Sequence, residues 1–268
     1  MDVVLHDVAD DVADDEPTID SMLREAAATV PVGLPSTFAG TARFELVRRI
    51  GEGGFGVVFE AIDHVDGGRI ALKLLRRPDA ERLYWFKREF RALTELVHRN
   101  LVRLHDLVTD GSDFFFTMER IDGESLHAHL AARPTDLLDV LRQLAEGLSA
   151  LHAAGKLHRD VKPSNILVER GGRVVLLDFG LAIDKGEPAS ELAGTPAYMS
   201  PEQHSGEPLT EASDWYAFGV VLFELLTGAL PARVCGRPSA LVDGVSIELD
   251  DLCAGLLERD PARRTRGA

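Results

Sequence analysis

The residues best suited to chemistry lie in His158-Arg159-Asp160-Val161-Lys162-Pro163-Ser164-Asn165 and in Asp178-Phe179-Gly180. Carboxylates, an ammonium and a carboxamide at these spacings suit phosphoryl transfer. That reaction asks little covalent chemistry of a protein and much positioning and charge neutralisation. Asp160 is expected to accept or orient a hydroxyl proton and Lys162 to meet the transferred phosphate. Asn165 and Asp178 offer the hard oxygens that Mg²⁺ prefers. Any one of these residues alone has an ordinary structural explanation; the ordered set is what points to a site.

Two further elements fit the same chemistry. Gly51-Glu52-Gly53-Gly54-Phe55-Gly56-Val57-Val58 is a glycine-rich turn whose backbone can approach phosphate closely. A dinucleotide-binding turn has nearly the same glycine pattern but is followed by a helix. Here Val57-Val58-Phe59 reads as a strand, so the turn is expected to be a flap between two antiparallel strands. Lys73 lies inside the apolar strand Ile70-Ala71-Leu72-Lys73, where a lysine is uncommon unless its ammonium has a partner. It reads either as an edge-strand lysine pointing to solvent or as a phosphate grip. In the second reading Glu89, on the helix that follows, is the candidate carboxylate that holds it.

These residues need two kinds of scaffold. Residues 44–120 pattern as strands with one helix: Phe44–Ile50, Val57–Ile62, Arg69–Leu75, Leu101–Leu107 and Phe114–Glu119, with the helix over about Ala80–Val97. From Ile121 helices dominate, over about Leu137–Ala154, Thr210–Thr227 and Ile247–Leu257, with a hairpin formed by Ile166–Val168 and Val175–Leu177. The expected fold class is therefore α+β, in a smaller sheet unit and a larger helical unit (121–268).

Residues 1–43 stand apart. The first 20 contain eight carboxylates and no Lys or Arg, more than half of the chain's net charge of −15. Ile19, Met22, Leu23, Ala26, Ala27 and Val30 follow at helical spacing, then a Pro- and Gly-containing linker. The leader reads as a short helix on the domain, as a segment without fixed structure, or as a docking helix for a partner. The acidic balance argues against a nucleic-acid partner. No apolar run is long enough to span a membrane, the start lacks a secretory pattern, and Cys235 and Cys253 have no metal-ligand or disulfide spacing. A cytoplasmic protein is expected.

Taken together, these motifs resemble the protein-kinase family, and its bacterial eukaryotic-like serine/threonine kinases in particular. The resemblance runs from about Phe44 to Arg264. Leu72 and Val161 replace the more usual Ile and Leu, and Ser200-Pro201-Glu202 stands for Ala-Pro-Glu. It implies a bilobal fold with ATP between a β-sheet lobe and a helical lobe, a hinge near Glu119–Asp122, and ATP and Mg²⁺ as co-substrate and cofactor. Ile50, Gly51, Glu52, Gly53, Gly54, Phe55 and Gly56 would cover the nucleotide, and Val58, Ala71 and Leu167 would enclose the adenine. Met118 would be the gatekeeper, with Glu119 and Ile121 presenting hinge backbone and Glu124 reaching the ribose. Leu93, His158 and Phe179 would belong to a spine between the lobes, Asp214 would anchor the catalytic loop, and Glu202 would pair with Arg264.

The resemblance also implies an acceptor. Lys162, two residues after Asp160, and Thr195 in Gly194-Thr195-Pro196-Ala197-Tyr198 favour serine or threonine on protein substrates. Arg159 beside the catalytic Asp suggests control by loop phosphorylation, and Ser190 is the only hydroxyl between Leu181 and Glu191. Only 23 residues separate Gly228 from Leu252, so the substrate-docking helix of this region is expected to be short or absent. A closing helix would follow Ala268. Two rivals remain at this point: a nucleotide-binding pseudokinase scaffold, favoured by the short helical lobe, and a small-molecule kinase, disfavoured by Lys162 and the 195–202 segment. The scattered histidines and Phe114-Phe115-Phe116 read as packing or surface residues, not as metal ligands or a base-stacking platform.

Overall fold

The computed structural model describes residues 38–52, 56–75, 87, 90–91, 94–111, 113–178, 183–184, 194–233 and 236–265. β-Branched and aromatic runs build a five-stranded antiparallel sheet from β1 (Phe44–Glu52), β2 (Gly56–Asp63), β3 (Arg69–Leu75), β4 (Leu104–Asp110) and β5 (Asp113–Glu119). The strand order is β1-β2-β3-β5-β4. Alternation along the strands sorts the side chains by face. Phe44, Leu46, Val57, Phe59, Leu72, Leu74 and Phe115 form one apolar layer, closed by Phe38. Burying a side chain such as Phe59 or Leu72 stabilises the lobe by roughly 1.5–3 kcal/mol.

The opposite face of the sheet carries Val58, Ala71, Lys73, Phe116 and Met118, paired across the strands as Val58 with Lys73, Lys73 with Phe116, and Ala71 with Met118. That face looks onto the second lobe. There β6 (Gly123–Ser125), β8 (Ile166–Glu169) and β9 (Val174–Leu176) form a small sheet, while β7 (Lys156–Leu157) pairs with β10 (Ile183–Asp184). The helices are α1 (Leu126–Ala132), α2 (Leu137–Ala153), α3 (Pro201–Ser205), α4 (Glu211–Thr227), α5 (Pro238–Leu241) and α6 (Ile247–Leu256).

Two helices explain why this lobe holds a rigid loop. On α2, Val140, Leu141, Leu144, Leu148 and Leu151 are buried at three- and four-residue spacing, the stripe of a helix laid on a core. α4 is buried almost all round from Ala212 to Phe223, as expected of a helix running through the lobe's interior. Thr210 and Ser213 close a capping box at its start, and Gly228, at φ 70°, ends it in the left-handed conformation. The charged Asp214 is therefore carried into the core.

The sequence patterns needed adjusting at several places. The fourth strand is Leu104–Asp110, not Leu101–Leu107; Leu101 makes only an isolated bridge to Leu176, and Val102 donates its N–H to the Leu176 carbonyl. The apolar run was a contact with the second lobe as much as a strand. The helix expected over Ala80–Val97 lies mostly outside the described residues; Thr94 and Glu95 already form a turn, so it stops short of Val97. Between α4 and α6 the only described helix is the single turn of α5, in keeping with a short 228–252 segment. Among the described residues no helix is long and apolar enough to cross a membrane.

Candidate active site

The loop after β7 gathers the polar groups. Asp214 on α4 is fully buried and accepts the backbone N–H of His158 through Oδ2 and that of Arg159 through Oδ1, both at 2.8 Å. His152 Nε2 lies 2.8 Å from the same Oδ2. Burial pushes the Asp214 carboxyl up, but the His152 hydrogen bond and the histidine and backbone partners together hold it below the usual carboxylate range. A buried charge with three hydrogen bonds thus fixes the loop's entry. Arg159 then takes a positive φ of 69°, a conformation rare for residues other than glycine. His158 is buried, which pushes its imidazole below its usual value. Its neutral ring accepts the Asp160 N–H at Nδ1 (3.2 Å) and faces the Leu177 carbonyl with Nε2 (3.1 Å).

The turn so produced presents Asp160 to a tight cluster. Thr195 donates both its backbone N–H (2.9 Å) and its hydroxyl (2.8 Å) to Asp160 Oδ1. Lys162 Nζ lies 2.8 Å from Asp160 Oδ2 and 2.6 Å from the Thr195 hydroxyl. Asn165 donates from Nδ2 to the Asp160 carbonyl (2.9 Å) and to Oδ2 (3.1 Å). With its nitrogen so committed, the Asn165 carbonyl oxygen is the acceptor left on the cleft wall. Gly194 allows the approach: its φ is 132°, and a Cβ there would lie 3.0 Å from the Arg159 carbonyl and 2.9 Å from Gln203 Nε2.

Across the cleft, the buried Lys73 reaches Asp178 Oδ1 at 2.8 Å, and Asp178 has a positive φ of 54°. Strained φ values at Arg159 and Asp178 flank the same cluster, as is common at functional sites. Between the lobes lies a cleft of about 280 Å³. Ile50, Gly51, Glu52, Val58, Ala71, Lys73, Met118, Glu119, Ile121, Leu167, Asn165 and Asp178 all line it. Its walls are mainly apolar at the sheet end and polar where Lys73, Asn165 and Asp178 converge, the usual make-up of a small-molecule site.

Some expectations come out differently. Gly56 does not line the cleft; a Cβ there would meet the Leu74 carbonyl at 2.3 Å, so its glycine is needed for close packing on β3. Glu124 is absent from the cleft wall because its carboxylate faces His129 (3.1 Å) and Arg133 (2.9 Å). Gly53, Gly54, Phe55, Glu89, Leu93, Phe179 and Ser190 lie outside the described residues.

Sequence reasoning also missed cleft residues. Val102, Leu104, Phe116, Ser164 and Leu177 complete the wall. Phe116 was within reach, since a strand facing Lys73 must present alternate residues to the same side. Arg173 gave no signal at all, yet it clasps both oxygens of Glu119 at 2.6 and 3.0 Å and the Arg99 carbonyl at 2.6 Å, tying the β8–β9 turn to the hinge. Glu202 and Arg264 form the expected pair, at 2.6 and 3.0 Å, with Ser213 as a third partner at 2.9 Å.

Comparison with known proteins agrees with this geometry. The model of the protein kinase domain matches residues 44–266. Serine/threonine-protein kinase pkn2 of Myxococcus xanthus is 37% identical over 213 residues, covering 74% of this chain and 26% of that protein. Serine/threonine-protein kinase PrkC of Bacillus subtilis is 34% identical over 202 residues, 71% of this chain and 31% of its own length. Serine/threonine-protein kinase PknL of Mycobacterium tuberculosis is 37% identical over 248 residues, 83% and 62%. The chain thus spans less than two thirds of the length of each of these relatives. With a two-lobed fold, a matching model over most of its length and serine/threonine kinases among its relatives, the chain belongs to the protein kinase domain family.

Proposed function

We propose that this domain transfers the γ-phosphoryl group of ATP to serine or threonine hydroxyls of protein substrates, on the cytoplasmic side where ATP is found. The observation that carries the reading is the Asp160–Lys162–Thr195 cluster facing the Lys73–Asp178 pair across one cleft. In this reading residues 44–120 and 121–268 act as the two lobes.

The cleft's residues suit both reactants. Ile50, Val58, Ala71, Met118 and Leu167 offer apolar surface to a purine, and Lys73 offers an ammonium to its phosphates. The Asn165 carbonyl and the Asp178 carboxylate are hard oxygen donors of the kind Mg²⁺ takes. When bound, Mg²⁺ supplies neutralisation of charge on the phosphate oxygens. Glu119 and Ile121 lie where hinge backbone would meet the purine edge.

The residues of the chain then divide the work. Asp160 receives the acceptor hydroxyl's hydrogen bond and aims its oxygen at the γ-phosphorus. The new P–O bond forms in line as the bond to the ADP oxygen breaks, and the hydroxyl proton passes to Asp160. Lys162 stabilises the charge on the transferred group, and Thr195 holds Asp160 and Lys162 in register. The requirement for a hydroxyl on an extended peptide is consistent with a catalytic group only partly buried in an open cleft.

The test is incubation with labelled ATP and Mg²⁺, with and without a basic acceptor protein, beside Asp160→Asn and Lys73→Met. Label on serine or threonine, reduced about 10²–10⁴-fold in Asp160→Asn, is expected of a positioned acid–base group. Nucleotide binding without transfer in the unmodified chain would overturn the reading in favour of a scaffold.

A further inference from the structure

The cleft-facing side of the sheet changes character just beyond the apolar cleft wall. Two residues outward from Val58 on β2 is Glu60, and two outward from Ala71 on β3 is Arg69; Arg48 pairs with Glu60 from β1. Arg120 joins them from the hinge. Arg48 Nε lies 2.9 Å from one Glu60 oxygen, while Arg120 Nε (3.0 Å) and Arg69 Nη1 contact the other. Glu60 is almost fully buried. Burial pushes its carboxyl up, and the three guanidiniums more than offset this and hold it low.

Three positive charges therefore share one buried negative charge. Asp122, exposed and 3.4 Å from Arg120, is the only other carboxylate in contact with them among the described residues. Arg48 and Arg69 keep 61% and 59% of their side chains exposed. Arg43, just before β1 and at the same end of the strands as Arg69, shows the opposite balance, being shared by Asp63, Asp66 and Asp106. The excess is thus local, on a chain whose net charge is −15.

The complement lies in the same chain. Asp10, Asp11, Asp14, Asp15 and Glu16 fall within a 20-residue segment that has no Lys or Arg. We propose that these carboxylates dock on the outward edges of Arg48 and Arg69, with Arg120 beside them, at the hinge end of the nucleotide cleft. Guanidinium forks match carboxylates in pairs, and two well-exposed forks flank one already bound carboxylate. Reach is ample. Phe38 and Phe44 both pack on Phe115, at 5.5 and 5.7 Å. Arg48 lies four strand residues beyond Phe44, about 13 Å along β1. Glu16 and Phe38 are 22 residues apart in sequence, a chain length whose upper limit of reach is roughly 75 Å, several times the distance needed. Tethering keeps the acidic segment at a high effective concentration, so contacts that are weak singly can act together. Salt should weaken them, because the pairs lie at the surface.

The test does not use the transfer reaction, so it stands apart from the function proposed above. Arginine Nε–Hε resonances are recorded for the full chain and for a D10N/D11N/D14N/D15N variant, at about 20 and 500 mM salt. Docking in cis predicts that the Arg48 and Arg69 signals move on neutralisation at low salt, converge at high salt, and that Arg142 stays put. In R48Q/R69Q the backbone amides of residues 7–16 should shift as well. Unmoved Arg48 and Arg69 signals at low salt would overturn the proposal. So would signals that ignore the leader but respond to an added acidic peptide, which would assign this face to a partner in trans.

Discussion

The two walls of the cleft are held by different means. The lower wall hangs on one buried carboxylate: Asp214 accepts two successive loop amides and faces His152, and a left-handed Arg159 turns the chain back toward Asp160. The upper wall, among its described residues, is built differently. Val58, Ala71, Lys73, Phe116 and Met118 face the cleft because strand alternation and register put them there, with a continuous antiparallel ladder sharing the work. The lower wall should therefore fail at single residues and the upper wall should degrade by degrees. In the proposed function, catalytic geometry falls where conformation is over-determined, and shape recognition where small adjustments are tolerated.

The sharpest way to break that contrast is Asp214→Ala. It leaves two inward-facing backbone N–H groups and His152 without their acceptor, a loss on the order of 3–5 kcal/mol for a broken buried network. Urea unfolding should show it, and phosphate transfer should disappear even where the chain still folds. Arg264→Ala comes next. Its guanidinium is fully buried against Glu202 and the Ala212 carbonyl, so removing it strands a buried carboxylate. A loss of about 3 kcal/mol is expected. Because neither Arg264 nor Glu202 bonds Asp160, Lys162 or Thr195, folded protein should keep much of its activity below the new melting temperature.

Thr195 separates positioning from packing within the lower wall. Thr195→Val keeps the volume and removes the hydroxyl that bridges Asp160 and Lys162, so kcat should fall roughly 10–100-fold with little change in stability. Thr195→Ser should restore most of it. Equal losses in both variants would remove the hydroxyl from the mechanism.

How much of this was legible in the sequence follows the same division. Asp160, Lys162 and Asn165 sit within eight consecutive positions and Asp178 follows closely, so spacing made them visible, whereas Thr195, 35 positions beyond Asp160, came only with the family resemblance. Asp214 was harder: a charge inside an apolar helical run marks a buried group, but its two acceptor contacts come from residues more than 50 positions away. Val58 and Ala71 came from the family resemblance, and strand alternation could have added Phe116. Arg173 and the three arginines around Glu60 were beyond pattern reading, because exposed-looking arginines on strands and turns acquire meaning only from register. Gly56 is ambiguous for a physical reason: it is crowded against the Leu74 carbonyl, and a glycine required by backbone crowding and one required by a ligand look identical in sequence.

The upper wall offers the smaller effects. Val58→Ala removes two methyl groups from the cleft roof, worth about 1 kcal/mol or a several-fold rise in the KM for ATP, with kcat nearly unchanged. A fall in kcat as large as the rise in KM would mean the roof also positions the transferred phosphate, and the contrast between the walls would weaken.

The smallest effect returns to the lower wall and concerns pH. His158 is buried, its Nδ1 accepts the Asp160 amide, and burial keeps the folded-state imidazole below its ordinary value. In the unfolded chain the ring titrates near 6.5. As pH falls below that value the unfolded state takes up a proton that the folded state resists, so this residue's contribution to stability is full above about pH 6.5 and declines in acid. Asp214 and Glu202, both held below their usual range, act in the same sense but only near and below pH 4, where the unfolded carboxyls protonate. The two windows are separate. Between pH 7.5 and 5.5 the melting temperature should therefore drop by a few degrees through His158. His158→Phe, which cannot take up a proton, should flatten that part of the curve while leaving the steeper acid loss below pH 4 in place. A variant whose curve kept the same slope from pH 7.5 to 5.5 would show that some other histidine carries the dependence, and that the neutral ring under Asp160 is not what the loop's stability registers.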